Sequence, residues 1–199
     1  MARNRQPILK KSRSLGISLG DMGYTKKPST RNPGPQRRTK KSEYARQLSE
    51  KQKVKFVYGI LEKQFHKYYE KASNQKGNTG ENMLILIERR LDNVAYHLNF
   101  GKTRRMARQM VTHGHLLVNG QKVDIPSYQV KVGDEISVCS KSREVPFYKT
   151  LREEGAERSV PKWLELDSEN LMGRVVAMPT REDVDMLVEE HLIVELYSR

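Results

Sequence analysis

Three arginines, Arg104, Arg105 and Arg108, fall with Thr112 on one face of a helical segment. At about 100° per residue, Met106, Ala107, Met110 and Val111 gather on another face, roughly 140° away. A guanidinium offers donors in a fixed fork, so it binds phosphate bidentately and stacks on unpaired bases. Three of them on one face make a grip for a polyanion. A larger supply of cations lies upstream. Residues 1–41 hold twelve Lys/Arg against one acid, Asp21. Arg3, Arg5, Lys10, Lys11, Arg13, Arg37, Arg38, Lys40 and Lys41 are the candidates there for contacts that release counterions from a nucleic-acid backbone. Lys51, Lys53 and Lys55 form a further group, for which a solvated face and an RNA contact both remain open.

Other chemistries find little support in the residues. There is no glycine-rich loop closing on Gly-Lys-Ser/Thr, so no nucleotide-hydrolysing site is indicated. His113 and His115 lack cysteines or suitably placed acids to complete a metal ligand set. Helix termination, hairpin packing or phosphate contact accounts for them, and no metal site or cofactor is expected. Cys139 is the single cysteine; an intramolecular disulfide is excluded, and its simplest role is that of a small buried hydrophobe. Glu182, Asp183 and Asp185 have no partnering base and read as a solvated or protein-binding face. No catalytic constellation results, and the chain is not expected to be an enzyme.

The elements that must position the arginines follow from periodicity and turn chemistry. Thr103 is a suitable N-cap for the basic helix and Gly114 a suitable stop. Leu116 to Val118 reads as a strand. Asn119-Gly120 then signals a type I′ hairpin, whose two central residues need positive φ, and Gln121 to Ile125 returns. Val130 to Val132, a turn at Gly133-Asp134, and Glu135 to Val138 complete a small sheet. Upstream, Val54, Val57, Leu61, Phe65 and Tyr68 predict one helix over 49–72, capped by Ser49 with Gln52. Leu84, Ile87, Leu91, Val94 and Leu98 predict a second over 81–98. Arg89, Arg90 and Asp92 within it fit internal salt bridges, domain packing or phosphate contacts equally. Downstream, a short helix is expected over Pro146 to Glu154, an extended start at Val160 and a strand at Val175 to Met178. Thr180 with Asp183 caps a short helix or turn, and the apolar ending Leu192 to Tyr197 docks on the body.

Composition bounds the partner. The 199-residue chain carries a net charge of +13 with 31% charged and 36% hydrophobic residues. Residues 1–41 hold +11, the middle +8 and residues 151–199 −6. A balance so basic favours nucleic acid over a membrane surface. No apolar run approaches a bilayer span, so no integral membrane protein is expected. The N-terminus lacks the apolar region of a secretory signal. The basic arm, with Pro28, Pro33, Gly34 and Pro35 and few large apolar residues, is expected to order on a phosphate backbone rather than on a core of its own.

Several segments together carry a resemblance. Arg89 to Tyr96, Thr103 to Ile125, Pro126 to Tyr128 and Val130 to Asp134 resemble the RNA-binding domain named after ribosomal protein S-four. Gln47 to Val54, Tyr58 to Phe65, Thr79 to Asn82 and the ending Leu192 to Arg199 resemble the rest of the bacterial-type small-subunit family, so that the likeness spans essentially the whole chain. Many family members hold zinc with four cysteines in the N-terminal arm; residues 1–41 contain none, which implies the zinc-free branch.

The resemblance implies a structural constituent of the small ribosomal subunit in the cytoplasm. It would bind a multi-helix junction in the five-prime region of small-subunit ribosomal RNA early and nucleate assembly of the subunit body. It would touch the neighbouring ribosomal protein S-five at an interface that influences decoding accuracy, and lie near the path by which messenger RNA enters. The expected fold class is α+β, a mainly helical lobe plus a small RNA-binding module of helices and a short β-sheet. The expected divisions are a basic arm over 1–41, a helical lobe over 42–88 completed by 151–199, and the module over 89–150. An RNA-modifying enzyme with the same module, such as a pseudouridine synthase, would need a catalytic domain for which little chain remains. A recycling factor for stalled large subunits is a third reading, separable by sedimentation.

Overall fold

The computed structural model describes residues 7–24 and 42–198. It is an α+β protein: helices dominate, and one antiparallel sheet of short strands accompanies them. Its backbone gathers into two compact units. The described residues of Met1–Gly80 and Leu187–Arg199 form one, and Glu81–Met186 the other.

The first unit is helical. α1 (Ile8–Leu15) buries Ser12 and Leu15 and stops at Gly16, which takes φ 68. Part of the arm thus has a core contact that its composition did not suggest, because α1 lies against α2. The helix expected over 49–72 is instead two, α2 (Glu43–Tyr58) and α3 (Glu62–Ser73). The break is at Gly59, whose φ of 65 lets its N–H return to the Lys55 carbonyl and end α2. The cap is Ser42, not Ser49: the Ser42 hydroxyl accepts from the Ala45 N–H at 3.3 Å. Val54, Phe65 and Ala72 are fully buried. α8 (Glu190–Ser198) packs along α2 and buries Leu192 and Ile193, so the C-terminal segment docks as its apolar content requires. Tyr197 closes an aromatic group with Phe65, His66 and Tyr69, its ring centre 4.9 Å from that of Tyr69.

The helix expected over 81–98 also divides, into α4 (Thr79–Glu88) and α5 (Leu91–His97). Arg90 between them is extended (φ −68, ψ 136). The Leu91 and Asp92 N–H groups donate to the Tyr128 and Pro126 carbonyls, and Arg90 bridges to Gln129. A continuous helix would have spent those donors internally; the loop after the hairpin supplies the alternative acceptors. Val130 to Val132 forms no strand: the Val130 N–H donates to the Arg89 carbonyl and the Lys131 N–H to Asp134 Oδ2.

The sheet belongs to the second unit, in the order β2-β1-β3-β5-β4. β1 (Leu116–Val118) and β2 (Gln121–Lys122) flank Asn119 (φ 51) and Gly120 (φ 78), the signs a type I′ turn demands. β2 is shorter than the expected Gln121 to Ile125. β3 (Glu135–Val138) pairs β1 on one side and β5 (Met172–Val175) on the other; β4 (Leu164–Asp167) forms the far edge. The last strand thus lies three residues before the expected Val175 to Met178. Val175 still pairs with Leu164, whereas Val176 and Met178 are exposed. Residues 151–186 therefore group with the sheet, and 187–199 with the helices, where the sequence pattern assigned the whole of 151–199 to the helical lobe. The free edge of β3 is what draws the later strands in. α7 (Pro146–Glu154) starts with Pro146 in its first turn, as expected. Thr180 and Asp183 form a reciprocal cap on a short 3₁₀ turn.

Candidate nucleic-acid interface

The basic helix α6 (Arg104–Thr112) forms for the reasons its sequence gives. The Thr103 hydroxyl accepts from the Met106 N–H at 3.2 Å, and the chain leaves through Gly114 at φ 71. Ala107 and Val111 are fully buried against Leu91, Val94, Leu98, Leu116, Val118 and Ile136, while Met106 and Met110 are half-buried at the margin. Burying side chains of this size contributes about 1.5–3 kcal/mol each for the larger ones. Lys122, from the hairpin, folds over the helix end: a Cβ at Gly114 would lie 2.0 Å from its Cε. A cation there complements the negative end of the helix dipole.

The three arginines of α6 share the helix but not an environment. Arg105 is exposed. Arg104 is half-buried; its Nε donates to Asn93 Oδ1 at 2.9 Å, and its guanidinium sits 4.3 Å from the centre of the Tyr96 ring. Arg108 donates to Asp92 Oδ2 at 2.7 Å with a side chain 17% exposed. The same carboxylate accepts from Arg90 Nε at 3.0 Å and Nη2 at 2.6 Å, both partners buried. Asn93, besides holding Arg104, donates to the Glu88 carboxylate, which His97 Nε2 also meets at 3.0 Å. A buried polar row from α5 thus underlies the cationic face of α6. The alternatives left open for Arg89 and Arg90 resolve as packing groups. Arg90 is an internal ion-pair partner, and Arg89 donates through Nε and Nη2 to the Val130 carbonyl at 3.0 and 2.9 Å.

Arg158 is a participant that sequence reasoning missed. It lies in an irregular segment with no periodicity to place it. Its Nη1 donates to the Lys102 carbonyl at 2.8 Å, and Nη2 to the carbonyls of Tyr96 (2.8 Å) and Gly101 (2.9 Å). Its guanidinium lies 4.1 Å from the Tyr96 ring centre. Burial first, and then repulsion from Arg104, lowers its pKa from the ordinary arginine value.

The hairpin beside α6 is fixed by side chains. Asn119 Nδ2 donates to Asp134 Oδ1 and its Oδ1 accepts from the Glu135 N–H, each at 2.9 Å. His113 is exposed at the helix end; His115 Nδ1 lies 2.8 Å from the Ser142 hydroxyl. Burial, with the nearby His113 and Lys122, lowers the His115 pKa from the ordinary histidine value. Cys139 is half-buried, more open than a core residue, and its N–H donates to the His115 carbonyl.

In the first unit, Lys10 and Arg13 are exposed on α1 and Lys11 is half-buried. Arg3, Arg5, Arg37, Arg38, Lys40 and Lys41 lie outside the described residues. The α2 lysines all meet carboxylates. Lys53 meets Glu50, while Lys51 (3.0 Å) and Lys55 share Glu62. Tyr197 donates to the same Glu62 at 2.7 Å. Burial alone would raise the Glu62 pKa, but the hydrogen bonds from Lys55, Tyr197 and Lys51 outweigh it and hold the carboxyl at about 2.

The second unit is therefore a helix–hairpin module with a cationic face braced from beneath, a class suited to binding a polyanion. Comparison with known proteins gives the particular family. The S4 domain model matches residues 89–136, and the ribosomal protein S4/S9 N-terminal domain model matches residues 3–88. The chain is 54% identical over 208 residues to the small ribosomal subunit protein uS4 of Ruminiclostridium cellulolyticum. It is 52% identical over 199 residues to that of Lachnospira eligens and 51% over 208 to that of Caldicellulosiruptor saccharolyticus. In each case 100% of both chains is covered. The chain belongs to the family of the small ribosomal subunit protein uS4.

Proposed function

We propose that the chain is a structural, non-enzymatic constituent of the small ribosomal subunit in the cytoplasm and a primary binder of its ribosomal RNA. Family membership supports the ribosomal role. The observation that carries the RNA reading is the face of α6, where Arg105 is exposed and Arg104 and Arg108 are held at its side by Asn93 and Asp92. The module of residues 89–150 grips folded RNA through this face and the hairpin, and the arm adds electrostatic affinity through Lys10, Lys11, Arg13 and the cations beyond them. The pairing of Lys51, Lys53 and Lys55 with carboxylates makes them weaker contributors than the arm.

The finer reading is a nucleating role. The chain binds a junction in the five-prime region of the RNA early and organises the subunit body. Its acidic later segment, including Glu182, Asp183 and Asp185, meets the basic protein S-five and thereby bears on decoding accuracy. It lies near the path by which messenger RNA enters. Hydroxyl-radical footprinting of the full chain on small-subunit ribosomal RNA tests this. Protection clustered at one five-prime junction is expected; diffuse protection, or none, would overturn it.

A further inference from the structure

We propose that Arg158 is a positioning residue of the RNA-binding face, acting through Tyr96 and the 101–102 turn to hold Arg104. The proposal deepens the RNA reading and rests on it.

The geometry converges on the start of α6. Arg158 binds three carbonyls, those of Tyr96, Gly101 and Lys102, with one guanidinium. Two of these belong to the turn immediately before the Thr103 cap, so Arg158 fixes where α6 begins. Gly101 sits hard against that helix: a Cβ there would lie 2.5 Å from the Ala107 nitrogen. A shift of the turn is thus passed directly to the α6 backbone. Asn99 ties the same segment from the other side, its Nδ2 donating to the Arg158 carbonyl at 3.1 Å and its Oδ1 accepting from the Arg158 N–H at 3.2 Å.

Tyr96 is the second link. Its buried ring carries both guanidinium groups, Arg158 at 4.1 Å and Arg104 at 4.3 Å. Arg158 cannot leave without freeing one side of the support on which Arg104 rests. With its two terminal nitrogens engaged by carbonyls, Arg158 is a brace, whereas Arg104, half-buried beside the exposed Arg105, is the group it positions on the cationic face. A lysine at 158 would keep the charge but lose the planar fork that spans three acceptors.

The test is equilibrium binding of the full chain to a small-subunit ribosomal RNA transcript across a salt series. The variants are Arg104→Gln, Arg158→Ala, Arg158→Lys, Tyr96→Leu and the Arg104→Gln/Arg158→Ala double. Arg158→Ala is expected to weaken binding about two- to five-fold, the range of one cation–π contact. It should flatten the log–log salt slope by about 0.7–0.9, one phosphate contact. Arg158→Lys and Tyr96→Leu should behave alike, and the double variant should bind no worse than Arg104→Gln. Restoration by Arg158→Lys, or additive losses in the double variant, would overturn the positioning role, since either marks Arg158 as an independent charge. Normal binding by Arg104→Gln is a separate outcome and removes Arg104 from the interface. The fluorescence of Trp163, the only tryptophan, reports whether the second unit is folded. Should Arg158→Ala unfold it, the Lys and Leu variants decide.

Discussion

Asp92→Asn separates a buried brace from a surface ion pair. The Asp92 carboxylate is 6% exposed and serves Arg90, 1% exposed, and Arg108, 17% exposed. Asparagine keeps the volume but removes the negative charge and turns one acceptor into a donor facing two guanidinium groups. Taking one partner from a buried pair costs about 3–5 kcal/mol, because a desolvated charge loses its compensation, whereas an exposed pair is worth about 0–1 kcal/mol. The burial of Arg90 places Asp92 in the first regime. With a urea m-value of about 2 kcal/mol/M, the midpoint should fall by about 1.5–2.5 M. The assay is urea unfolding followed by Trp163 fluorescence, which reports the second unit alone. A fall below about 0.5 M, the size expected of an exposed pair, would refute the reasoning and leave the row beneath α6 without a bracing role.

Three further outcomes are expected. Gly101→Ala sets a Cβ 2.5 Å from the Ala107 nitrogen; overpacking of this kind costs about 1–3 kcal/mol, visible as a lower thermal midpoint of Trp163 fluorescence. Glu62 has its pKa held at about 2 against an ordinary 4.5; its stabilising contribution is complete above about pH 4.5 and is lost as pH falls through about 2. The side chain is half-exposed, so that contribution is at most about 1 kcal/mol. Glu62→Gln should remove it, flattening the acid limb of a stability–pH profile. Arg105→Gln, on the exposed side of α6, should leave stability within about 0.5 kcal/mol yet reduce the salt slope of RNA binding by about 0.7–0.9; an unchanged slope would exclude Arg105 from the interface.

Local signals fared best where a few adjacent residues settle the outcome. Thr103 as a cap and Thr180 with Asp183 as a reciprocal cap depend on side chains meeting nearby backbone, and the Asn119-Gly120 hairpin depends on two adjacent residues that accept positive φ. The two helix breaks were missed for opposite reasons. Gly59 is a local stop that an apolar period running through it concealed. The break at Arg90 is not local: its displaced N–H groups are satisfied by Pro126 and Tyr128, residues far along the chain. The β-strands followed the same division, since β1 and β3 lie beside the turns at Asn119-Gly120 and Gly133-Asp134 that mark them in the sequence, whereas the placing of β5 three residues early depends on its register with β3. On the cationic face, the helical period identified which residues of α6 are apolar and which are cationic. It did not distinguish exposed Arg105 from Arg108, because that difference is made by Asp92 on a neighbouring helix. Arg158 carried no pattern at all; only the fold brings it to Tyr96.

In the proposed role the chain recognises small-subunit ribosomal RNA through charge held on a rigid frame. The most direct test is the affinity of the full chain for small-subunit and large-subunit ribosomal RNA transcripts, measured side by side over a salt series. Affinity for the small-subunit RNA is expected to fall log-linearly with salt while the preference over large-subunit RNA persists. Equal affinities for the two RNAs at every salt concentration would contradict it.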